Sequence, residues 1–132
     1  MIAIDTNILL QYVMPSDEKQ ARKARDLVDT HCSPSSPALV HFVCLAEFWW
    51  VLRKSRKVPK QAVLDVLEAL FSNESLAFTD PEVLASALIA YREGAADFPD
   101  YLVFFDNRRH GAAKTFTFDK DAARADFMTQ LI

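Results

Sequence analysis

The chain has 132 residues, enough for one domain with a real core and too few for two, so a single domain over 1–132 is expected. Half of it is hydrophobic and a quarter charged, as in globular proteins, and its two glycines argue against a Gly-rich phosphate loop. A formal net charge of −3 excludes whole-protein attraction to nucleic acid but leaves room for a local basic patch.

Ile2 to Ile4 reads as a short buried strand. Ile8, Leu9, Tyr12 and Val13 follow at helical spacing until Pro15 stops them. Asp17 to Thr30 is a charged helix with Ala21, Ala24, Leu27 and Val28 on one face. Residues 32–37 form a turn-rich loop, and Leu39-Val40 a short strand. His41 to Ser55 is the most apolar helix candidate. Pro59 opens another helix, with Val63, Val66, Leu67, Leu70 and Phe71 inward. These two consecutive helices, 41–55 and 59–72, suggest a helical hairpin. Leu76 to Phe78 is a strand. Asp80-Pro81-Glu82 starts a helix, with Asp80 as N-cap, and Gly94 ends it. Asp97 to His110 is the next helix, closed by Gly111. Lys114 to Phe118 is a strand, Lys120 to Ala125 a short helix, and the C-terminus an edge strand. Strands alternating with helices imply an α/β fold with a parallel sheet covered on both faces.

Cys32 and Cys44 show no metal-type spacing, and the first strand begins at residue 2, which leaves no room for a targeting segment. The expectation is a reduced, cytoplasmic protein. No apolar run approaches the roughly 18 residues of a membrane span.

Four carboxylates stand at element junctions. Asp5 ends the first strand, where open α/β sheets bind ligands. It could equally be the N-cap of the helix that follows. Asn7 is either a turn residue or a hydrogen-bonding support for a ligand carboxylate. Glu47 interrupts an apolar helix, so it is paired, protonated, metal-bound or on a thin solvent face. Of Asp97 and Asp100, Asp97 suits the helix cap. Asp100 then sits in the first turn, where the dipole favours an anion. Asp119 follows Thr115-Phe116-Thr117-Phe118 and could cap a helix, with Asp121 as a solvent charge. Converging carboxylates repel unless a cation joins them. An all-oxygen set suits Mg²⁺ or Mn²⁺ and not zinc, and His31, His41 and His110 show no zinc spacing.

Arg53, Lys54, Arg56, Lys57 and Lys60 form a run without an acidic residue, and Arg108, Arg109 and Lys114 a second group. The first run either caps a helix C-terminus or makes a phosphate-contacting rim, to which Arg53, Lys54 and Arg56 would belong.

Ile4-Asp5-Thr6-Asn7-Ile8-Leu9, Leu45-Ala46-Glu47-Phe48-Trp49-Trp50-Val51-Leu52-Arg53, Asp97-Phe98-Pro99-Asp100-Tyr101-Leu102 and Thr115-Phe116-Thr117-Phe118-Asp119-Lys120-Asp121 occur in this order. Together they resemble the PIN-domain ribonucleases, and most of all the VapC-type toxins of toxin–antitoxin pairs. The resemblance spans essentially the whole chain. It implies a PIN-like fold with a central parallel sheet of four to five strands, flanking helices and a helical hairpin. It assigns Asp5, Glu47, Asp100 and Asp119 to an acidic Mg²⁺ (or Mn²⁺) site. Asn7 and Thr117 are supporting residues, and Asp97 and Asp121 second-tier acids. Pro99 departs from the small residue common there. Phe104-Phe105-Asp106-Asn107 departs from a usually aliphatic stretch, pointing to different packing.

The implied activity is metal-dependent endoribonuclease action as a toxin, with an RNA substrate, a VapB-type antitoxin and a homodimer. A catalytically idle PIN domain that only binds RNA or protein is the alternative. An aspartyl-phosphate phosphatase would want a second Asp where Asn7 stands, and the acid pattern of a receiver domain is absent. Ten phenylalanines and two tryptophans are also more than one small domain easily hides. Trp49 and Trp50 point about 100° apart on a helix, so one of them is expected near the surface.

Overall fold

The computed structural model describes residues 1–124 and 127–132. They fall into two compact units, 1–79 and 80–132. No helix among the described residues is long and apolar enough to cross a membrane.

The first unit alternates as expected. It comprises β1 (Ile2–Ile4), α1 (Thr6–Val13), α2 (Glu18–His31), β2 (Ala38–Val40), α3 (Phe42–Trp50), α4 (Lys60–Phe71) and β3 (Leu76–Phe78). The strands are parallel in the order β1-β2-β3, with Ile4 beside Val40 and Val40 beside Phe78. Side chains start three of these helices. Asp5 caps α1, Asp17 caps α2 by accepting Gln20 N–H at 3.0 Å, and His41 Nδ1 accepts Val43 N–H at 3.1 Å at the head of α3. Leu9, Val28, Val40, Leu45, Phe48 and Leu67 are wholly buried, so each of these elements contributes to one core.

The long helix expected over 41–55 changes character. It is α-helical to Trp50 and π-helical over Val51–Ser55, with Arg56 N–H donating to Val51 O. The wider turn ends at Lys57, whose φ is +55°, and Val58 N–H returns to Leu52 O before α4 begins. This is the turn of the expected hairpin. Arg56 does not trail into solvent there. Its guanidinium donates to Met14 O and, at 3.3 Å, to Ser16 Oγ, tying the π stretch to the α1–α2 link. The Tyr12 hydroxyl donates to Asp29 at 2.9 Å and accepts from Asn73 at 3.4 Å. Burial, then the Asp29 hydrogen bond, raises its pKa above the usual tyrosine value.

The second unit holds α5 (Pro81–Glu93), α6 (Phe98–Arg109), β4 (Phe116–Thr117) and β5 (Thr129–Gln130). Asp80 occupies the N-cap position of α5 but adopts φ +51° and makes no cap hydrogen bond. Its carboxylate instead receives Arg109, which also bonds Asp106 at 2.7 Å. Gly94 ends α5 because the chain must pass against Tyr101. A Cβ there would lie 1.8 Å from the Tyr101 hydroxyl oxygen. That hydroxyl accepts Ala96 N–H at 3.3 Å, and burial raises its pKa.

The Phe104-Phe105 departure has a structural counterpart. Tyr101, Phe104 and Phe105 each pack edge-on against Phe127, with ring centroids 5.1 to 5.9 Å apart. Among the described residues there are five strands, but the central sheet has three of them. The other two form a separate parallel ladder, Phe116 beside Thr129 and Thr117 beside Gln130. The strand expected over 114–118 is only two residues long. Thr117 Oγ1 accepts Asp119 N–H at 3.0 Å and Asp119 accepts Asp121 N–H at 2.8 Å, so side chains turn the backbone out of the ladder. The helix expected over Lys120 to Ala125 begins as turn. Ala125 lies outside the described residues.

Candidate active site

In the first unit, Asp5 stands where β1 stops and α1 starts. Its Oδ1 accepts Ile8 N–H at 3.3 Å, and the residue is exposed. The capping role and an outward carboxylate therefore coexist: one oxygen satisfies a helix N–H, and Oδ2 bonds no described residue. Two positions on, exposed Asn7 lines a cleft of about 450 Å³ with Ile8, Gln11, Gln20 and Lys23. Gln20 and Lys23 went unnoticed in the sequence because they read as the solvated face of a charged helix. Only the packing of α1 on α2 puts them beside Asn7.

Glu47 is exposed, not buried among its apolar neighbours. The expected burial cost does not arise. Of the options open for it, the solvent face is the one observed. Val43, Glu47 and Trp50 follow at i, i+4 and i+7 and form one exposed stripe of α3. Trp49 is 1 % exposed and Trp50 is 57 % exposed, which separates the adjacent tryptophans as their angular offset requires. Lys54 lies over the Trp49 ring at 5.6 Å. Arg53 is half-buried and makes no hydrogen bond or ion pair with a described residue.

In the second unit, Asp97 and Asp100 form a capping box at the start of α6, with Asp97 N–H donating to Asp100 Oδ2 at 3.2 Å. Pro99 fits the first turn, so that departure changes nothing in the helix. Asp119 is exposed, and its Oδ1 accepts Asp121 N–H at 2.8 Å and Ala122 N–H at 3.4 Å. Thr117 Oγ1 accepts the Asp119 N–H at 3.0 Å and so holds its backbone. Asp121 is exposed and pairs with Arg124 at 3.5 Å.

The structure therefore places Asp5 and Glu47 in one unit and Asp100 and Asp119 in the other. Among the described residues, no group of three or more His, Cys, Asp or Glu side chains is gathered to hold a metal ion. The donor chemistry still fits a hard cation. All four are carboxylates, and Asp5 and Asp119 each commit only Oδ1 to capping amides.

The sequence profile of the PIN domain family matches residues 2–128. The chain belongs to the PIN-domain family. No curated protein and no solved structure gave a match. PIN domains are generally nucleases that use divalent metals. Asp5, Glu47, Asp100 and Asp119 all lie within the matched span.

Proposed function

We propose that this PIN domain is a metal-dependent endoribonuclease, the cytoplasmic toxin of a VapC-type pair, acting as a homodimer and restrained by a VapB-type antitoxin. The observation that carries the nuclease reading is Asp5. It is a carboxylate fixed by a cap at the C-terminal end of a parallel strand, exposed, and two residues from Asn7, which lines a cleft with Gln11, Gln20 and Lys23.

Asp5, Glu47, Asp100 and Asp119 would hold the ion, Mg²⁺ or Mn²⁺. Bound there, it supplies an acidified water and neutralises charge on the scissile phosphate. The protein's own groups do the positioning. The α1 cap sets the rotamer of Asp5, the capping box sets Asp100, and Thr117 sets the backbone of Asp119. Asn7 and Lys23 present a donor and a cation to RNA along the α1–α2 cleft. Arg53 and Lys54 extend a basic rim beyond Glu47 on the same helix. Arg56 is engaged with Met14 and Ser16 and contributes to that rim only through its charge.

Purified protein should cut single-stranded RNA with Mg²⁺ or Mn²⁺ and stop when EDTA is added. Cleavage that persists in EDTA would remove the metal mechanism. Binding of RNA without cleavage at any metal concentration would select an idle PIN domain instead. Co-purification of a small protein that suppresses cleavage tests the toxin–antitoxin assignment separately.

A further inference from the structure

A cleft of about 470 Å³ opens at the C-terminal end of α6. Phe104 and Phe127 form its apolar part, their rings edge-to-face at 5.4 Å. Thr115 and Thr129 supply hydroxyls on adjoining backbone, with Thr129 N–H donating to Thr115 O at 2.8 Å. Arg108 and Lys114 supply the charge. None of the described lining residues is acidic, although the chain as a whole carries −3.

The two cations differ from their neighbour Arg109. Arg109 is spent on Asp80 and Asp106. Arg108 lies 5.7 Å from the Phe104 ring centre and makes no ion pair with a described residue, and Lys114 makes none either. A cation over an aromatic face keeps its N–H fork for an anion. A helix C-terminus normally repels anions. Here the Asp106, Asn107 and Arg108 carbonyls are already covered by the amides of His110, Gly111 and Ala112. Gly111, at φ +92°, makes the turn that brings Lys114 back beside Arg108. A cleft of this volume is in the range that holds a small ligand group.

We propose that this cleft binds a phosphate group, held between Arg108 and Lys114 with the Thr115 and Thr129 hydroxyls as partners, and that an RNA strand supplies it. The RNA assignment rests on the nuclease reading; the phosphate chemistry does not. Arg108 lies eight residues beyond Asp100 on one helix, about 12 Å along its axis. The cleft is thus a second anchoring point, separate from the carboxylate on which cleavage would depend.

The test uses the full chain in EDTA, so that binding is read without cleavage. A labelled short single-stranded RNA is titrated at several salt concentrations. The doubly substituted Arg108→Gln/Lys114→Gln protein should bind roughly tenfold more weakly. Its log–log salt slope should shrink by about 0.7, the value for one lost phosphate contact on a single strand. Lys19→Gln/Arg22→Gln on exposed α2 makes the same charge change and should have little effect. Equal losses in the two double variants would overturn the proposal, because only net charge would then matter. Amide resonances of Gly111 to Thr115 distinguish the source. Shifts with RNA assign a strand phosphate; shifts with inorganic phosphate alone assign a free ion and remove the RNA part. Shifts with neither overturn the site. A protein that cleaves RNA but shows no such shifts keeps the nuclease reading and loses this one. A protein that shows the shifts and never cleaves does the reverse.

Discussion

Asp97 N–H donates to Asp100 Oδ2 at 3.2 Å, so a carboxylate proposed as a metal ligand also closes the first turn of α6. The two aspartates are reciprocal in the cap but unequal in chemistry, which makes their roles separable.

Asp97→Ala should cost about 1 kcal/mol of stability by removing the cap. RNA cleavage should persist within a few-fold. Asp100→Asn keeps a polar acceptor at the same place and should leave the melting temperature nearly unchanged while abolishing cleavage. Thermal melts and cleavage rates on the same preparations decide it. If Asp97→Ala abolishes cleavage as completely as Asp100→Asn, Asp97 is more than a cap.

A similar separation holds at β1. Asn and Asp are near-equal N-caps, so Asp5→Asn should keep the fold within about 0.5 kcal/mol and lose cleavage. Asp5→Ala should lose cleavage and also about 1 kcal/mol. An Asp5→Asn protein that still hydrolyses RNA at the wild-type rate would remove Asp5 from the site.

The local parts of this fold were legible because their signals are local. Pro15 stops α1, Gly94 and Gly111 close α5 and α6, and Asp97 caps α6, all read from spacing and backbone chemistry. What the chain alone leaves open depends mostly on partners distant in sequence. Glu47 stands among apolar neighbours in the chain, which leaves a paired or metal-bound place and the solvent face of its helix both open. Those neighbours divide between a core face and an exposed stripe, and the chain alone does not say where a nine-residue helix turns its polar edge. Arg56 reads as a helix-end cap or as part of a phosphate-contacting rim, yet it meets Met14, 42 residues away. Asp80 was correctly placed as the residue before α5, but its side chain goes to Arg109 and not to the cap. The strand over 114–118 was overextended because alternating Thr and Phe suit a strand. The Thr117 and Asp119 side chains cut it to two residues. Residue type and position single out the four acids in the sequence. Their joint arrangement depends on how distant segments come together, which spacing cannot supply.

The contact of Gly94 with Tyr101 yields a packing prediction. Gly94→Ala drives a methyl into the Tyr101 hydroxyl and should cost about 2 kcal/mol, in the range for overpacking. Tyr101→Phe should cost about 1 kcal/mol, because Ala96 N–H loses its acceptor. The double variant should be less destabilised than the sum, since the atom struck first is gone. Additive losses in a double-mutant cycle would show that the clash is relieved elsewhere.

Tyr12 and Tyr101 both have pKa values raised by burial above the ordinary value near 10. The native state therefore holds these protons more tightly than the unfolded chain. Their contribution is fully present below pH 10 and is lost as pH rises through the raised values. Stability should fall on the alkaline side, with tyrosinate absorbance appearing late. Tyr101→Phe should make that alkaline decline shallower while leaving the behaviour near neutrality otherwise parallel. An unchanged slope above pH 10 would mean that Tyr101 ionises as freely in the fold as outside it.

The exposed stripe of α3 gives the last prediction. Val43 and Trp50 flank Glu47 on one face, and each is at least half exposed. An indole in water contributes little to the fold, so Trp50→Ala should change stability by no more than about 0.5 kcal/mol, the range for surface substitutions. Tryptophan is enriched among residues that dominate binding energy, and truncating such an anchor costs a complex about 2 kcal/mol or more. If the proposed antitoxin or a second copy docks on this stripe, Trp50→Ala should weaken that binding by at least about thirtyfold, since each 1.4 kcal/mol is a factor of ten. Trp49→Ala is the contrast. It empties a core position and should cost about 3–5 kcal/mol of stability without being specific for either partner. Light scattering reads self-association, and calorimetric titration with the co-purifying small protein reads the other. If Trp50→Ala leaves both affinities intact while RNA binding drops, the stripe is a surface for the substrate and the partner docks elsewhere.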